Sequence, residues 1–266
     1  MGILVDQLIN ELEVRETKSL LQHEQVISYN LKKLKEAMLN TAYLVDPLII
    51  DKKTSLVLDG NHRLKVLEII ECPLASCQIV DYDREDIQVG TWYPATKLIP
   101  DQIFKLDSIK YEKVDHDHGI KAVDDLKAPF MLSTKKENYL LNPGNYKLRE
   151  MVEEQNYIMS LVEKSHNVLE YIPDQEINSQ LDESHSIFYR RAYTKSEIIK
   201  AAQDHAPLPP KSTRHTIPGR IIRLNMRLGW LHNSKKEADE ELKRMLTLRA
   251  YAGNVRKYYE PVVVIY

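Results

Sequence analysis

The chain has 266 residues, of which 43% are hydrophobic and 29% charged, a composition ordinary for a soluble globular protein. Its 37 basic and 39 acidic residues nearly balance, whereas a protein that binds nucleic acid through its phosphates usually carries a basic excess. The two cysteines exclude a disulfide framework and a four-thiolate zinc site. Because no apolar run approaches the ~20 residues that span a bilayer and the N-terminus is acidic and amphipathic, we expect a cytoplasmic protein.

The first part of the chain has the pattern of a mixed α/β domain. Apolar residues at helical spacing predict helices, and short apolar runs around a polar link predict a β-hairpin. In chain order, the predicted elements are a helix over 3–13, a helix over 25–39, a hairpin over 47–58, a helix over 61–70 and a strand over 77–80. This order within about 80 residues is typical of mixed α/β architecture.

The pattern restarts after Trp92-Tyr93-Pro94, which predicts a domain boundary near residues 94–100 and two domains, 1–98 and 99–266. The second domain is again mixed. Its predicted helices cover 101–109, 119–125, 147–164, 196–202 and 237–249. Its predicted strands cover 129–132, 138–141, 187–189, 221–228 and 261–266.

The most informative segment is Asp-Gly-Asn-His-Arg at 59–63, which joins an apolar strand to a predicted helix. A helix N-terminus has unpaired N–H groups and the positive end of a dipole, so it binds phosphate readily. Gly60 lets the backbone approach a ligand closely, and His62 and Arg63 add donors and charge. Asp59 can face a magnesium ion or a hydroxyl. The alternative is a plain helix cap at Asp59 and a surface histidine at His62.

This segment resembles the Asp-Gly-His-His-Arg signature of the ParB/sulfiredoxin superfamily, which includes DNA-partition CTPases, sulfiredoxins and free L-serine kinases. The resemblance implies an α/β (mixed α+β) fold in which a ParB/sulfiredoxin-like N-terminal domain packs on a second mixed α/β domain, with the active site in the cleft. It implies that Gly60, Asn61, His62 and Arg63 bind nucleotide phosphates. Asn61 stands where sulfiredoxins carry their catalytic cysteine, and this departure argues against a sulfiredoxin.

Three further segments resemble the free L-serine kinases. Residues 21–25 resemble their His-Glu segment, whose glutamate activates the serine hydroxyl, so the resemblance implies that Glu24 is the general base. Residues 91–95 match their Thr-Trp-Tyr-Pro-Ala segment, and residues 211–218 resemble the late Lys-Thr-Thr-Arg-His segment, which lines the serine and phosphate side. The tail, 219–266, is more similar to the serine kinase of the staphyloferrin B siderophore cluster.

The residues themselves fit this chemistry. Phosphorylation of a primary alcohol needs a carboxylate within ~2.6–3.2 Å of the hydroxyl and positive charge on the transferred group. The predicted catalytic residues are Glu24 and Asp59, with Mg²⁺ as the cofactor, bound through Asp59. The predicted substrate-binding residues are Trp92, Ser212, Thr213, Arg214 and His215. The structural alternatives are a solvated acid at Glu24, a salt bridge at Arg214, a turn cap at 212–213 and an aromatic plug at Trp92.

The predicted reaction converts free L-serine to O-phospho-L-serine, with ATP favoured over ADP as the donor. The alternative is a ParB-like nucleotide-binding regulator of transcription or DNA partition without kinase activity. Such a regulator should carry a helix-turn-helix, whereas residues 100–205 show mixed strands and helices and many acids. The cluster Asp-His-Asp-His at 115–118 invites a metal site but lacks an evident third ligand. Neither a membrane nor nucleic acid is an expected partner, and the oligomeric state is open.

Overall fold

The computed structural model describes residues 8–106, 109–165, 169–177 and 185–258. The strands are β1 (Leu12–Glu16), β2 (Tyr43–Leu44), β3 (Leu48–Asp51), β4 (Val57–Asp59), β5 (Leu74–Val80), β6 (Gln88–Gly90), β7 (Trp92–Thr96), β8 (Tyr111–Val114), β9 (Phe130–Ser133), β10 (Asn138–Leu141), β11 (Glu170–Pro173), β12 (Ser186–Tyr189), β13 (Arg214–Thr216) and β14 (Met226–Arg227). The α-helices are α1 (Ser28–Thr41), α2 (Asn61–Ile69), α3 (Pro100–Phe104), α4 (His116–Asp124), α5 (Leu148–Lys164), α6 (Lys195–Gln203), α7 (Leu228–Leu231) and α8 (Lys235–Tyr251).

The chain forms two compact units. Among the described residues, unit 1 comprises 8–21, 26–82 and 219–258, and unit 2 comprises 22–25 and 83–218 without the gaps given above. This division differs from the predicted 1–98 and 99–266 at both ends. The first boundary between the units falls after Tyr82 because β7 is an inner strand of the unit 2 sheet, and residues 219–258 belong to unit 1.

Unit 1 is built on a four-stranded sheet in the order β1-β5-β3-β4. Strand β3 pairs in parallel with β5 and antiparallel with β4, which is the predicted hairpin. Helix α2 then starts two residues after the end of β4 and buries Leu64 and Leu67 in the same core as Val14. Helix α8 packs on β1, where Asp239 accepts a hydrogen bond from the Val14 N–H at 3.0 Å. This packing explains why the C-terminal segment belongs to unit 1.

Unit 2 is built on a six-stranded antiparallel sheet in the order β11-β7-β12-β9-β10-β8. Phe130 and Phe188 meet edge to face in its core, and helix α5 covers them with Ile158 and Val162. A separate two-stranded ribbon pairs β13 with β6 and sets Arg214 opposite Gly90. This ribbon carries part of the late segment that sequence analysis singled out.

Most predicted elements are confirmed. The predicted helix over 101–109 is shorter and ends at Phe104, and two other elements differ for clear reasons. The predicted helix over 3–13 is helical at 8–11 and then becomes β1, because that segment pairs with β5; residues 3–7 lie outside the described residues. The predicted strand over 221–228 is wrong except at β14, because Arg223 and Asn225 adopt φ of 55° and 50°, which no strand allows. The predicted strand over 261–266 lies outside the described residues. A helix able to span a membrane is not found in the described part of the chain.

Candidate active site

The five signature residues of unit 1 lie where β4 turns into α2. Gly60 has φ +107°, a conformation that side chains with a Cβ rarely adopt. A Cβ at this position would lie 2.6 Å from Leu48 Cδ2 and 3.1 Å from Arg63 Nη2. Glycine is therefore required both by the backbone conformation and by the close packing of its neighbours. The first-turn N–H groups of α2 follow directly, and a helix start of this kind suits an anion.

Arg63 is tied into the fold of unit 1 rather than extended toward solvent. Its Nη1 donates to the carbonyls of Asp46 at 2.9 Å and Pro47 at 2.8 Å, and its Nη2 donates to Asp59 Oδ2 at 2.6 Å. Arg220 places its Nη1 3.0 Å from the same Asp59 oxygen, and its side chain is 37% exposed. Arg220 is thus the more accessible guanidinium, and sequence analysis missed it because it is far from the motif.

His62 makes a contact that fixes its ring. Its Nε2 accepts a hydrogen bond from the Ile27 N–H at 3.0 Å. A ring nitrogen that accepts carries no proton, so the bond assigns the neutral tautomer with the proton on Nδ1. Asn61, beside it, is buried. Both residues are therefore part of a well-packed helix start, and His62 is not the surface histidine of the alternative interpretation.

The residues of unit 1 do not fit a resident magnesium ion at Asp59. Mg²⁺ binds carboxylate oxygens together with waters and substrate phosphates, whereas Asp59 Oδ2 accepts from two guanidinium groups. No cluster of three His, Cys, Asp or Glu suited to a metal occurs among the described residues. The 115–118 cluster has a structural explanation, since Asp115 caps α4 by accepting from the His118 N–H at 2.9 Å.

Glu24 lies in unit 2, on a four-residue segment whose chain neighbours on both sides belong to unit 1. Two backbone bonds hold this segment beside Leu208: the Leu208 N–H donates to the His23 carbonyl at 2.8 Å, and the Gln25 N–H donates to the Leu208 carbonyl at 2.9 Å. The half-buried Glu24 carboxylate accepts from the Thr213 N–H at 3.2 Å. The prolines after residue 206 thus bring an early acid beside a late backbone amide.

Burial raises the pKa of Glu24 to about 7, above the ordinary value of 4.5. The backbone amides of Thr213 and Ser212 and the positive charges of Arg190 and Lys211 act in the opposite direction and lower it. A carboxylate with this pKa is about half ionised at neutral pH, which suits a group that must accept a proton. Perturbed acids of this kind are enriched at functional sites.

The polar residues beside Glu24 form a buried cluster. The Thr213 hydroxyl lies 2.9 Å from Nε2 of His23, whose ring meets that of His215 edge to face at 5.4 Å. The Ser212 hydroxyl is fully buried and makes no hydrogen bond to any described residue. A buried hydroxyl without a partner costs the fold ~1–3 kcal/mol.

Two cations lie over the ring of Trp92. Lys211 Nζ is 5.3 Å and Arg214 Cζ 5.5 Å from the ring centroid. Arg214 Nη1 is 3.5 Å from Asp174 Oδ1. A Cβ at Gly90 would overlap the Asp174 carboxylate, so the glycine makes room for this pair. Trp92 therefore supports a positively charged surface suited to a carboxylate or a phosphate.

The structure groups the predicted site residues in two separate sets. Unit 1 holds Asp59, Gly60, Asn61, His62 and Arg63 in sequence, and unit 2 gathers Glu24, Trp92, Ser212, Thr213, Arg214 and His215 from three segments. Sequence analysis missed His23, Asp174, Arg190, Lys211 and Arg220 as site residues. For His23 and Lys211 the signal was present, because both stand inside segments that resembled the serine kinases.

No family model matches the chain. Over 218 residues it is 28% identical to the ATP-dependent L-serine kinase of Staphylothermus marinus. The aligned region covers 75% of this chain and 82% of that kinase. Over 218 residues it is 23% identical to the ADP-dependent L-serine kinase SerK of Thermococcus kodakarensis. The aligned region covers 77% of this chain and 87% of that kinase.

A solved structure of a free serine kinase in complex with AMP superposes with a TM-score of 0.71 at 22% identity, covering 83% of this chain and 93% of that one. The chain has the fold of the free serine kinases. The mixed α/β fold class and the resemblance to free L-serine kinases are therefore confirmed. The individual site residues are not tested by these similarities and stay predictions.

Proposed function

We propose that this protein is a kinase that transfers a phosphoryl group from a nucleotide to the hydroxyl of free L-serine. Its relatives named as L-serine kinases and its fold support this activity. The observation that carries the proposal is the environment of Glu24. Its carboxylate lies beside buried backbone amides and two cations, and the pKa of Glu24 is raised to about 7. An acid of this kind matches the base that phosphorylation of an alcohol requires.

Glu24 is the general base of the proposed reaction. The serine hydroxyl oxygen attacks the terminal phosphorus of the nucleotide while its proton passes to the Glu24 carboxylate. The bond from that phosphorus to the bridging oxygen breaks, and the nucleotide leaves with one phosphate fewer. Lys211 and Arg214 supply positive charge for the negative oxygens of substrate or product, and most of the catalysis of phosphoryl transfer comes from such positioning and charge.

Free serine carries a carboxylate and an ammonium beside its hydroxyl, and its site needs groups for each. Arg214 offers a planar donor fork to the carboxylate, with Thr213 and His215 beside it on the same segment. Trp92 forms a rigid wall that limits the size of the substrate side chain.

The nucleotide phosphates bind at the N-terminus of α2, where the positive φ of Gly60 forms the turn that leads into the helix. Arg220 adds the accessible positive charge. Asp59 positions Arg220 and Arg63 through its ion pairs with both side chains. Magnesium enters as the complex with the nucleotide substrate, whose phosphate charge it neutralises. We favour ATP over ADP as the donor; the relatives include one enzyme named for each. The cytoplasmic location stays a prediction.

Phosphorus NMR tests the activity directly. The protein is incubated with L-serine, MgCl₂ and either ATP or ADP, and the spectrum is followed for O-phospho-L-serine. We expect product with ATP and less with ADP. More product with ADP would reverse the donor assignment, and no product with either would refute the kinase. Calorimetry that shows nucleotide binding without product would favour the ParB-like regulator.

Glu24→Gln tests the base. The amide keeps the shape of the side chain but cannot take the proton, so we expect kcat to fall ~10²–10⁴-fold with nucleotide affinity nearly unchanged. Glu170→Gln, on an exposed position of β11, is the matched control and should retain wild-type activity. If Glu24→Gln retains more than half of the activity, Glu24 is not the base.

A further inference from the structure

Arg190 is the largest fully buried side chain in the described part of the chain, with 1% of its surface exposed. No carboxylate of a described residue lies within 4 Å of its guanidinium. Arginine is almost never fully buried unless it is paired, because desolvation of its charge is costly. Burial accordingly lowers the pKa of Arg190. Burial of this unpaired charge lowers the stability of the fold, which points to a functional role for Arg190.

The guanidinium joins two distant segments of unit 2. Its Nε donates to the Trp92 carbonyl at 3.1 Å and the Thr91 hydroxyl at 3.3 Å, and its Nη2 donates to the Trp92 carbonyl at 2.8 Å and to the Lys211 carbonyl. The Thr91 hydroxyl in turn donates to the Ser212 carbonyl at 3.0 Å. Arg190 and Thr91 together therefore fasten the start of β7 to the turn at 211–212.

That turn holds the proposed base. Lys211 adopts φ +56°, a left-handed conformation that costs a non-glycine residue ~1–2 kcal/mol and that needs outside support. The next two residues, Ser212 and Thr213, present backbone amides to the Glu24 carboxylate. The bond from Arg190 to the Lys211 carbonyl thus fixes the turn from which these amides project.

The Arg190 charge also acts on Glu24 through space and lowers its pKa against the effect of burial. Lys211, Tyr171 and Tyr193 also interact with Glu24 electrostatically, and the rings of His23 and His215 lie in the buried cluster beside it. Lys211 acts in the same direction as Arg190. It is more exposed, and its ammonium is a point charge on a flexible side chain. Arg190 is the buried and fixed cation of this set.

We propose that Arg190 is a positioning residue for Glu24: its buried guanidinium fixes the turn whose backbone amides hold the Glu24 carboxylate. This role rests on the proposed function of Glu24 as the base. Arg190 donates to the backbone and to Thr91, so it acts through Glu24 and not on the substrate.

The test compares Arg190→Met and Arg190→Lys with the control Arg191→Met. Arg191 is the adjacent residue, is 14% exposed and pairs with Glu197, so its loss damages the same region without touching the turn. Two readouts are taken: the pH profile of kcat/KM for serine, and the titration of the Glu24 side-chain carbon by ¹³C NMR on glutamate-labelled protein. The Glu24→Gln variant identifies the signal, and this second readout needs no turnover.

We expect Arg190→Met to raise both midpoints by about one pH unit and to lower kcat at least about tenfold, because charge and bonds are lost together. Arg190→Lys keeps the charge but not the planar fork, so it should keep the midpoints within about 0.3 pH unit and still lower kcat at least about threefold. Arg191→Met should change neither midpoint.

Unchanged midpoints in Arg190→Met, or an equal change in Arg191→Met, would overturn the proposal. If Arg190→Met does not fold, Arg190→Lys decides: wild-type kcat in that variant would overturn it, and a lowered kcat with an unchanged midpoint would support it. Absence of phosphoserine from the wild-type protein would refute the proposed function alone, since the NMR titration would still report whether Arg190 controls the ionisation of Glu24.

Discussion

The proposed phosphate-binding motif of unit 1 and the residues around Glu24 in unit 2, here called the acid site, are constructed in opposite ways. The first is five consecutive residues, 59–63, placed by one strand-to-helix turn. The second draws Glu24, Trp92, Arg190 and the 211–215 segment from four distant parts of the chain. A local motif carries its geometry in its own backbone, whereas the acid site exists only once unit 2 is packed.

The two regions also treat their carboxylates differently. Asp59 lies within ion-pair distance of both Arg63 and Arg220. Glu24 has no ion pair among the described residues, and burial raises its pKa to about 7. A paired carboxylate has little tendency to accept a proton, while a buried unpaired one is suited to do so. The comparison favours Glu24 over Asp59 as the base of the proposed reaction, because the ion pairs of Asp59 suit a structural role. The catalytic role of Asp59 stays a prediction.

The largest effect on stability is expected from Arg63→Ala. The change leaves the carbonyls of Asp46 and Pro47 without their donor and removes one partner of Asp59, so the free energy of unfolding should fall by ~2–4 kcal/mol in urea denaturation. Lys65→Ala, which breaks an exposed pair on the same helix, should cost less than ~0.5 kcal/mol. Equal small losses would show that Arg63 is not part of the framework of unit 1.

A smaller effect, confined to one substrate, is expected from Arg214→Lys in unit 2. Lysine keeps the charge but loses the bidentate fork, so KM for serine should rise ~tenfold while KM for the nucleotide stays within about twofold. Arg149→Lys, at an exposed pair on α5, should leave both constants unchanged. A normal serine KM in steady-state kinetics would remove Arg214 from the serine site.

The smallest effect is expected from Arg220→Ala. Because this side chain is more than a third exposed, its loss should change stability by less than ~0.5 kcal/mol but weaken nucleotide binding ~3–10-fold in calorimetry. Arg244→Ala, which removes a surface pair on α8, is the control and should change neither quantity. Wild-type nucleotide affinity in Arg220→Ala would leave the helix N-terminus as the whole phosphate site.

The sequence predicted what depends on neighbours along the chain. The hairpin and the helix that follows Gly60 both follow from local periodicity and turn chemistry. Arg190 could not be found in this way, because its importance comes from carbonyls about 20 and 100 positions away that only the folded unit brings to it. The strand predicted over 221–228 failed for a similar reason, since alternation cannot reveal the positive φ of Arg223.

The division into units shows the same limit. The restart of the pattern after Trp92-Tyr93-Pro94 indicated a boundary near 94–100, yet Trp92–Thr96 form β7, which pairs with β11 and β12 inside the larger sheet. Sequence composition reports local stiffness but not which strands pair. The return of 219–258 to unit 1 depends on the packing of α8 on β1, a contact between the two ends of the chain.

The pH dependence of kcat/KM for serine, compared between the wild-type protein and Glu24→Gln, tests the central claim most directly. With its pKa raised to about 7, Glu24 is protonated and inactive below that pH and ionised above it. The account predicts a wild-type rate that rises about tenfold per pH unit below a midpoint near 7 and then levels off, and a Glu24→Gln rate at least about 100-fold lower without that midpoint. The same midpoint and a similar rate in Glu24→Gln would contradict it.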